Sequence, residues 1–233
     1  MIKVIDYNNL GGADHGWLKA KHHFSFASYQ DPNRVRFGPM RVINDDIVAP
    51  KKGFDPHAHD NMEIITYVRK GAITHKDDIG NEGRTEAGDV QVMSAGTGVV
   101  HSEYNLEDED TNLYQIWMFP NKKNVKPRWD AKKFPKEPVE GKLKPLVTGF
   151  ENDDSDSLKI YQDTVIYAGR VNKGKSVNQL IERDQAYVLC SQGKIKINDT
   201  EIKKGDGAEI TDLKNVNITS LEDSEILFID LPR

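Results

Sequence analysis

The chain reads as an all-β protein with two antiparallel β-barrels in one polypeptide, and three features of the sequence predict this. Short β-branched or aromatic runs recur (EIITYV, DVQVMSA, LYQIWMF, KIKIN and EILFIDL), each bounded by Gly, Asn, Asp or Pro. Helical periodicity is weak, and turn signals are closely spaced, as in sandwiches and barrels. The two halves also repeat. YVRKGAITH starts at Tyr67 and is followed by Gly88-Asp89, while YVLCSQGKIKI starts at Tyr187 and is followed by Gly205-Asp206.

Taken in order, each Gly-Asp pair opens a new apolar run, and Gly80-Asn81 and Asn198-Asp199 read as hairpin tips. From Lys122 to Asp156 the pattern breaks. Pro127, Pro135, Pro138 and Pro145, paired lysines and the acidic run Glu151 to Asp156 read as a long connection between halves. The expected domains are residues 1–130 and 131–233. The run Glu107 to Asp110 reads as a solvated loop.

Composition narrows the function. The 233 residues carry 32 Lys plus Arg against 37 Asp plus Glu, a formal net charge of -5. That balance gives no footprint for nucleic acid or an anionic membrane. No apolar run approaches the roughly 18 residues of a membrane span. The segment MIKVIDYNNLGG has no long apolar stretch, so no signal peptide is expected. A single cysteine, Cys190, cannot form an internal disulfide, which fits a reducing cytoplasm. It lies in the apolar run AYVLCSQG and reads as a buried, inert thiol. Nothing marks an interface, and a monomer is expected.

Histidine placement locates the chemistry. All seven histidines lie at or before His101. Counting back from the two Tyr-Val pairs aligns His57 with Val177, His59 with Gln179 and Glu63 with Arg183, so the second half keeps the scaffold signals and lacks the imidazoles. In a strand, residues i and i+2 share a face, roughly 6.5 to 7 Å apart. His57 and His59 can therefore aim at one point. In SAGTGVVHSEYN, His101 and Glu103 repeat that spacing, and barrel closure would bring the pairs together. Nitrogen and oxygen donors without thiolate suit Fe(II), Mn, Co, Ni, Cu or Zn, and the donor set alone does not choose among them. Four protein ligands in an octahedral shell leave two positions for substrate, or for substrate and O2. Taken singly, Glu63 and Glu103 read as solvated carboxylates, and spacing does not decide between them. His75, beside a hairpin, reads as a surface residue. One of His22 and His23 could line the pocket mouth, and His15 has no informative context. GTG at Gly96 lacks the third glycine and the βαβ setting of a dinucleotide site.

The series Gly53, His57, His59, Glu63, Gly71, then Gly88, Gly96, His101, Asn105, resembles the two cupin motifs. It departs from them at Ser94, where a proline is usual, and at His101, which falls two residues late. Those departures resemble one branch, the pirin family. RVINDDIV, GFDPHAHDNMEIITYV, VQVMSAGTGVVHSEYN and LYQIWMFP all look like its signatures, and HHFSFASYQDP is similar to the bacterial pirin-like quercetinases. The resemblance covers much of residues 15 to 120. It implies a bicupin of two jelly-roll barrels, with a metal-binding cupin in 1–130 and a degenerate cupin without the metal motif in 131–233. It implies His57, His59, His101 and Glu103 as the metal ligands, with Glu63 left as a polar residue outside that set. It also implies one divalent metal, iron above the alternatives, and a quercetin 2,3-dioxygenase-like activity on a flavonol, or a related enol or catechol, with O2. In that reading Glu103 is the base for the flavonol 3-hydroxyl. The alternative is a redox-sensing or partner-binding regulator with little turnover. A blocked pocket entrance would favour the regulator, and a deep open pocket the enzyme.

Overall fold

The structure, a computed structural model, describes residues 1–151 and 156–233. The described residues form 22 strands and a single 3-10 turn at Tyr7–Asn9. They divide into two compact units. One comprises Gly11–Pro135 with Leu158–Gln162, and the other comprises Met1–Leu10, Lys136–Ser157 and Asp163–Arg233.

The chain starts in the second of these with β1 (Ile2–Ile5). The first unit then holds β2 (Gly11–Asp14), β3 (Leu18–His22), β4 (Met40–Val48), β5 (Gly53–His59), β6 (Glu63–Lys70), β7 (Ala72–Asp77), β8 (Glu82–Glu86), β9 (Val90–Ser94), β10 (Val99–Tyr104), β11 (Thr111–Met118) and β12 (Arg128–Lys132). Two sheets result, in the orders β12-β9-β6-β11-β4-β3-β2 and β5-β10-β7-β8. The short strand β14 (Leu158–Ile160) also belongs to this unit.

The second unit continues with β13 (Lys144–Gly149), β15 (Val165–Val171), β16 (Ser176–Leu180), β17 (Gln185–Gln192), β18 (Lys194–Ile197), β19 (Thr200–Lys203), β20 (Gly207–Thr211), β21 (Asn215–Ser220) and β22 (Ser224–Leu231). Its sheets run β1-β20-β17-β22-β15-β13 and β16-β21-β18-β19. The order β9-β6-β11-β4 in the first unit matches β20-β17-β22-β15 in the second, and β5-β10-β7-β8 matches β16-β21-β18-β19. The repeat suggested by two Tyr-Val pairs therefore extends to eight strands of each unit. In each unit the described ladders form two open sheets rather than a closed barrel.

Alternation explains the layers. In β16, Val177 and Gln179 are buried between exposed neighbours, and Val177 joins Ile195, Ile197, Ile218 and Phe228 in one apolar core drawn from both sheets. Cys190 lies fully buried in the same core, as expected of an inert thiol. Gly80-Asn81 and Asn198-Asp199 occupy the β7–β8 and β18–β19 turns, and Asn198 takes the positive φ of 50° that such turns favour.

The Lys122–Asp156 segment is more ordered than its composition suggests. It contributes β12, which pairs antiparallel with β9, and β13, which pairs with β15. Its prolines sit where they cost no ladder bond within β12: Pro127 precedes that strand and Pro135 follows it, while Pro145 stands at a register shift in β13. Most of the acidic run Glu151 to Asp156 lies outside the described residues. Glu107 to Asp110 forms the β10–β11 loop, as expected. No described helix is long and apolar enough to cross a membrane.

Candidate metal centre

The centre is built on the small sheet of the first unit, where β5 and β10 run antiparallel with His101 opposite His57 and Val99 opposite His59. Alternation puts His57 and His59 on one face, and the cross-strand register adds His101 to them. Ring centroids are 4.9 Å apart for His57 and His59, 4.4 Å for His57 and His101, and 5.1 Å for His59 and His101. One nitrogen from each ring falls within 4.8 Å of the others. A register shift between His101 and Glu103 bends β10 at this point.

The hydrogen bonds fix which nitrogens are free. The Nδ1 of His57 donates to the carbonyl of Asp55 at 2.7 Å, which leaves its Nε2 lone pair available. The Nε2 atoms of His59 and His101 are buried with no hydrogen-bond partner among the described residues. His101 Nδ1 lies 3.3 Å from His75 Nδ1, and His75 Nε2 lies 3.0 Å from Asp77 Oδ2. If the Nε2 lone pair of His101 points into the cavity, its Nδ1–H donates to His75, whose Nε2–H donates to Asp77. Asp77 also accepts from the backbone and side chain of Asn81, at 2.8 Å each. His101 joins an orphaned nitrogen to a backing hydrogen bond, the arrangement that a divalent ion satisfies.

Burial favours the unprotonated imidazoles of His59 and His101. It lowers His59 to about 4, with His57 adding repulsion, and His101 to about 3, with His57, His59 and His75 adding theirs. Neutral imidazole is the form that binds metal.

Glu103 is buried behind His101. Its Oε1 accepts from Gln91 at 2.6 Å and Thr66 at 3.3 Å, and its Oε2 accepts from Gln115 at 2.6 Å. Burial raises its pKa, against the opposing pull of His75 and the Gln115 hydrogen bond. By distance it groups with His75 and His101, and His57, His59 and His101 form a second group that shares His101. Glu63 faces elsewhere. Ser94 donates to its Oε2 at 2.7 Å, as does the Tyr161 amide at 3.1 Å, and burial raises it to about 7.

His75 corrects the surface reading, for it is fully buried. It stands opposite Glu103 across β7 and β10. Trp129 of β12 stacks on its ring at 5.0 Å and 9°. Trp129 needs Gly83, because a Cβ there would lie 2.2 Å from the indole. Of the N-terminal pair, His22 lines the cavity and His23 is wholly buried. Sequence reasoning passed over Thr66, Gln91 and Gln115. All three sit on strands it had identified, on the face that alternation turns toward Glu103.

The cluster opens into a cavity of about 660 Å³. Aromatic side chains wall it: Trp17 meets Phe54 edge-on at 5.3 Å, and Phe26 meets Trp117 edge-on at 5.5 Å. Solvent-exposed Lys51, Lys52 and Asp55 line its outer part.

The sequence matches the Pirin family profile over residues 4–118 and the quercetinase C-terminal cupin domain profile over residues 147–231. A pirin-like protein of Caulobacter vibrioides is 49% identical over 99% of this chain and 99% of its own. The chain belongs to the pirin family. A protein of Escherichia coli named quercetin 2,3-dioxygenase is 41% identical to this pirin over 100% of this chain and 99% of its own. The crystal structure of the E. coli bacterial pirin YhhW in complex with nickel(II) superposes with a TM-score of 0.92 at 37% identity, covering 100% of this chain and 99% of that one.

Proposed function

We propose that this pirin is a metal-dependent dioxygenase of the quercetin 2,3-dioxygenase type, acting on flavonols or related enols and catechols with O2. In this reading it works as a cytoplasmic monomer. The domain at 1–130 holds one divalent metal, Fe(II) above Zn, Mn, Co, Ni or Cu, through His57, His59, His101 and Glu103, and the domain at 131–233 holds none. The carrying observation is the trio of imidazoles whose inward nitrogens, two of them buried without partners, meet at the floor of an aromatic-walled cavity.

A metal held there by His57, His59, His101 and Glu103 would supply Lewis acidity to a bound flavonol. The protein does the rest. Trp17, Phe26, Phe54 and Trp117 offer flat apolar surface to a planar ligand and exclude water from it. Glu103 takes the 3-hydroxyl proton, and Gln91 and Gln115 hold its carboxylate in one orientation for that transfer. Ring cleavage then consumes O2, both of whose atoms enter the products, and yields a depside and carbon monoxide. The cavity's continuity with solvent-exposed residues supports an enzyme over a regulator whose pocket is covered by a partner.

Oxygen uptake on adding quercetin to Fe(II)-loaded protein tests the proposal, with His101→Ala alongside. Uptake by the parent that vanishes in the variant is expected. A parent shown to hold iron that consumes no oxygen with quercetin contradicts it. For Glu103, the Glu103→Gln protein is expected to keep its metal and lose turnover. Unchanged turnover removes Glu103 as the base.

A further inference from the structure

Strand β4 carries three consecutive buried polar residues, Asn44, Asp45 and Asp46, and their partners differ. Alternation sends Asp45 to Arg69, whose Nη1 lies 2.5 Å from its Oδ1. Asn44 and Asp46 face the other way, into the cavity wall. Asn44 Oδ1 is bonded to His22 Nδ1 at 2.8 Å. Asp46 is 2% exposed, and its Oδ1 is buried without a hydrogen-bond partner among the described residues.

A buried carboxyl without a partner is costly, and native folds rarely keep one without a use. A structural role would be served by a cation or a donor. Arg69 pairs with Asp45, and the carboxyls of Asp45 and Glu103 act on Asp46 with like charge. Burial first, and those two carboxyls second, raise its pKa well above the ordinary carboxylate range. Burial favours the protonated form of the group, which can donate as well as accept. Trp17, Phe54, Phe26 and Trp117 line the same cavity. Such a surface takes a flat ring system, and one fixed polar group in it sets which substituents the ring must carry.

We infer that Asp46 is a specificity-determining residue that forms a hydrogen bond with a phenolic hydroxyl of an aromatic ligand, separate from the oxygens that face the histidine cluster. The inference rests on the functional reading above and adds to it a preference for polyhydroxylated rings.

The test is anaerobic fluorescence titration of Ni(II)-loaded protein with two probes. Quercetin and 3-hydroxyflavone share the 3-hydroxyl and 4-carbonyl, and 3-hydroxyflavone lacks the other hydroxyls. The parent is expected to bind quercetin more tightly. Asp46→Val is expected to lose roughly tenfold for quercetin and less than about twofold for 3-hydroxyflavone, whereas Asp46→Asn, which keeps a donor and an acceptor, stays within about threefold for both. Metal-free Asp46→Val is expected to melt no lower than the parent, because it removes a buried carboxyl whose Oδ1 has no hydrogen-bond partner among the described residues. If Asp46→Val binds both probes like the parent, or weakens both equally, or fails to fold, the role of Asp46 falls and the functional reading stands. A metal-loaded parent that binds neither probe overturns both.

Discussion

The two units share one strand order and differ in what they place at its centre. The register of β10 puts His101 opposite His57, and the matching register of β21 puts Ile218 opposite Val177. Where His75 pairs with Glu103 and Asp77 with His101 in the first unit, Ile195 pairs with Ser220 and Ile197 with Ile218 in the second. Thr66 beside Tyr67 corresponds to Ala186 beside Tyr187, and Gln91 after Gly88-Asp89 corresponds to Ala208 after Gly205-Asp206. Val177, Ile195, Ile197, Ala186, Ala208 and Ile218 all belong to one continuous apolar core. The pattern of turns and alternation thus specifies the scaffold without specifying the interior. The second unit uses its centre for hydrophobic burial. The first fills the same positions with a hydrogen-bonded polar network that gives up some of that burial and holds imidazoles open toward a cavity.

Several substitutions sharpen or break this comparison. The largest effect is expected from His101→Ala, which removes a nitrogen from the trio and should weaken metal binding by at least about 100-fold, measured by competition with a chelating dye. Retained affinity would mean the trio is not the site. Next is His75→Ile, which copies Ile195 into the first unit. It touches none of the proposed ligands' inward nitrogens, but it cuts the path from His101 to Asp77, and roughly 10- to 100-fold weaker binding with an intact fold is expected. Affinity equal to the parent's would show that the relay does not orient His101.

A third difference is in acid sensitivity, since every histidine lies in the first unit. Burial, with Arg34 and Arg69 adding to it, lowers His23 to about 3 from an ordinary 6.5. As pH falls, the unfolded chain takes up this proton first. The stability from a neutral His23 is therefore complete above about pH 6.5 and is lost as pH falls toward 3. The slope is about 1.4 kcal/mol per pH unit at most. Subtracting the denaturant-unfolding curve of metal-free His23→Gln from that of the parent isolates this term from the buried carboxyls, which act in the opposite sense. A flat difference between pH 6.5 and 4 would contradict it. The smallest effect is expected from the double variant His57→Val, His101→Ile, which gives the first unit the second unit's pair. Its metal-free melting temperature should rise by roughly 2–4 °C, the equivalent of about 1 kcal/mol, as the buried imidazole of His101 and the half-buried one of His57 give way to apolar side chains. A fall would show that the imidazoles also support the fold.

Much of this architecture was legible in the sequence because the signals were local. Strand runs bounded by turn residues, the two Gly-Asp pairs and the i, i+2 spacing of His57 with His59 and of His101 with Glu103 each depend on only a few neighbouring residues. What escaped depends on register between distant strands. His75 sits in THKDDIGN, a polar stretch beside a hairpin, and only its place opposite Glu103 makes it an interior residue. Strand β12 escaped because prolines frame it, although it brings Trp129 onto His75. Asp45 and Asp46 look alike as letters. Alternation gives one an arginine and leaves the other facing the cavity, which becomes visible only once Arg69 is placed.

The central claim is that one unit holds a metal and its structural counterpart does not. Its most direct test is the metal content of protein loaded with Fe(II) or Ni(II) under anaerobic conditions, desalted and measured by elemental analysis against chain concentration, for the parent and for His59→Ala with His101→Ala. About one metal per chain in the parent and essentially none in the double variant is the expected result. Two metals per chain, or one that persists after both histidines are removed, would contradict the assignment of the metal to the first unit's histidine cluster alone.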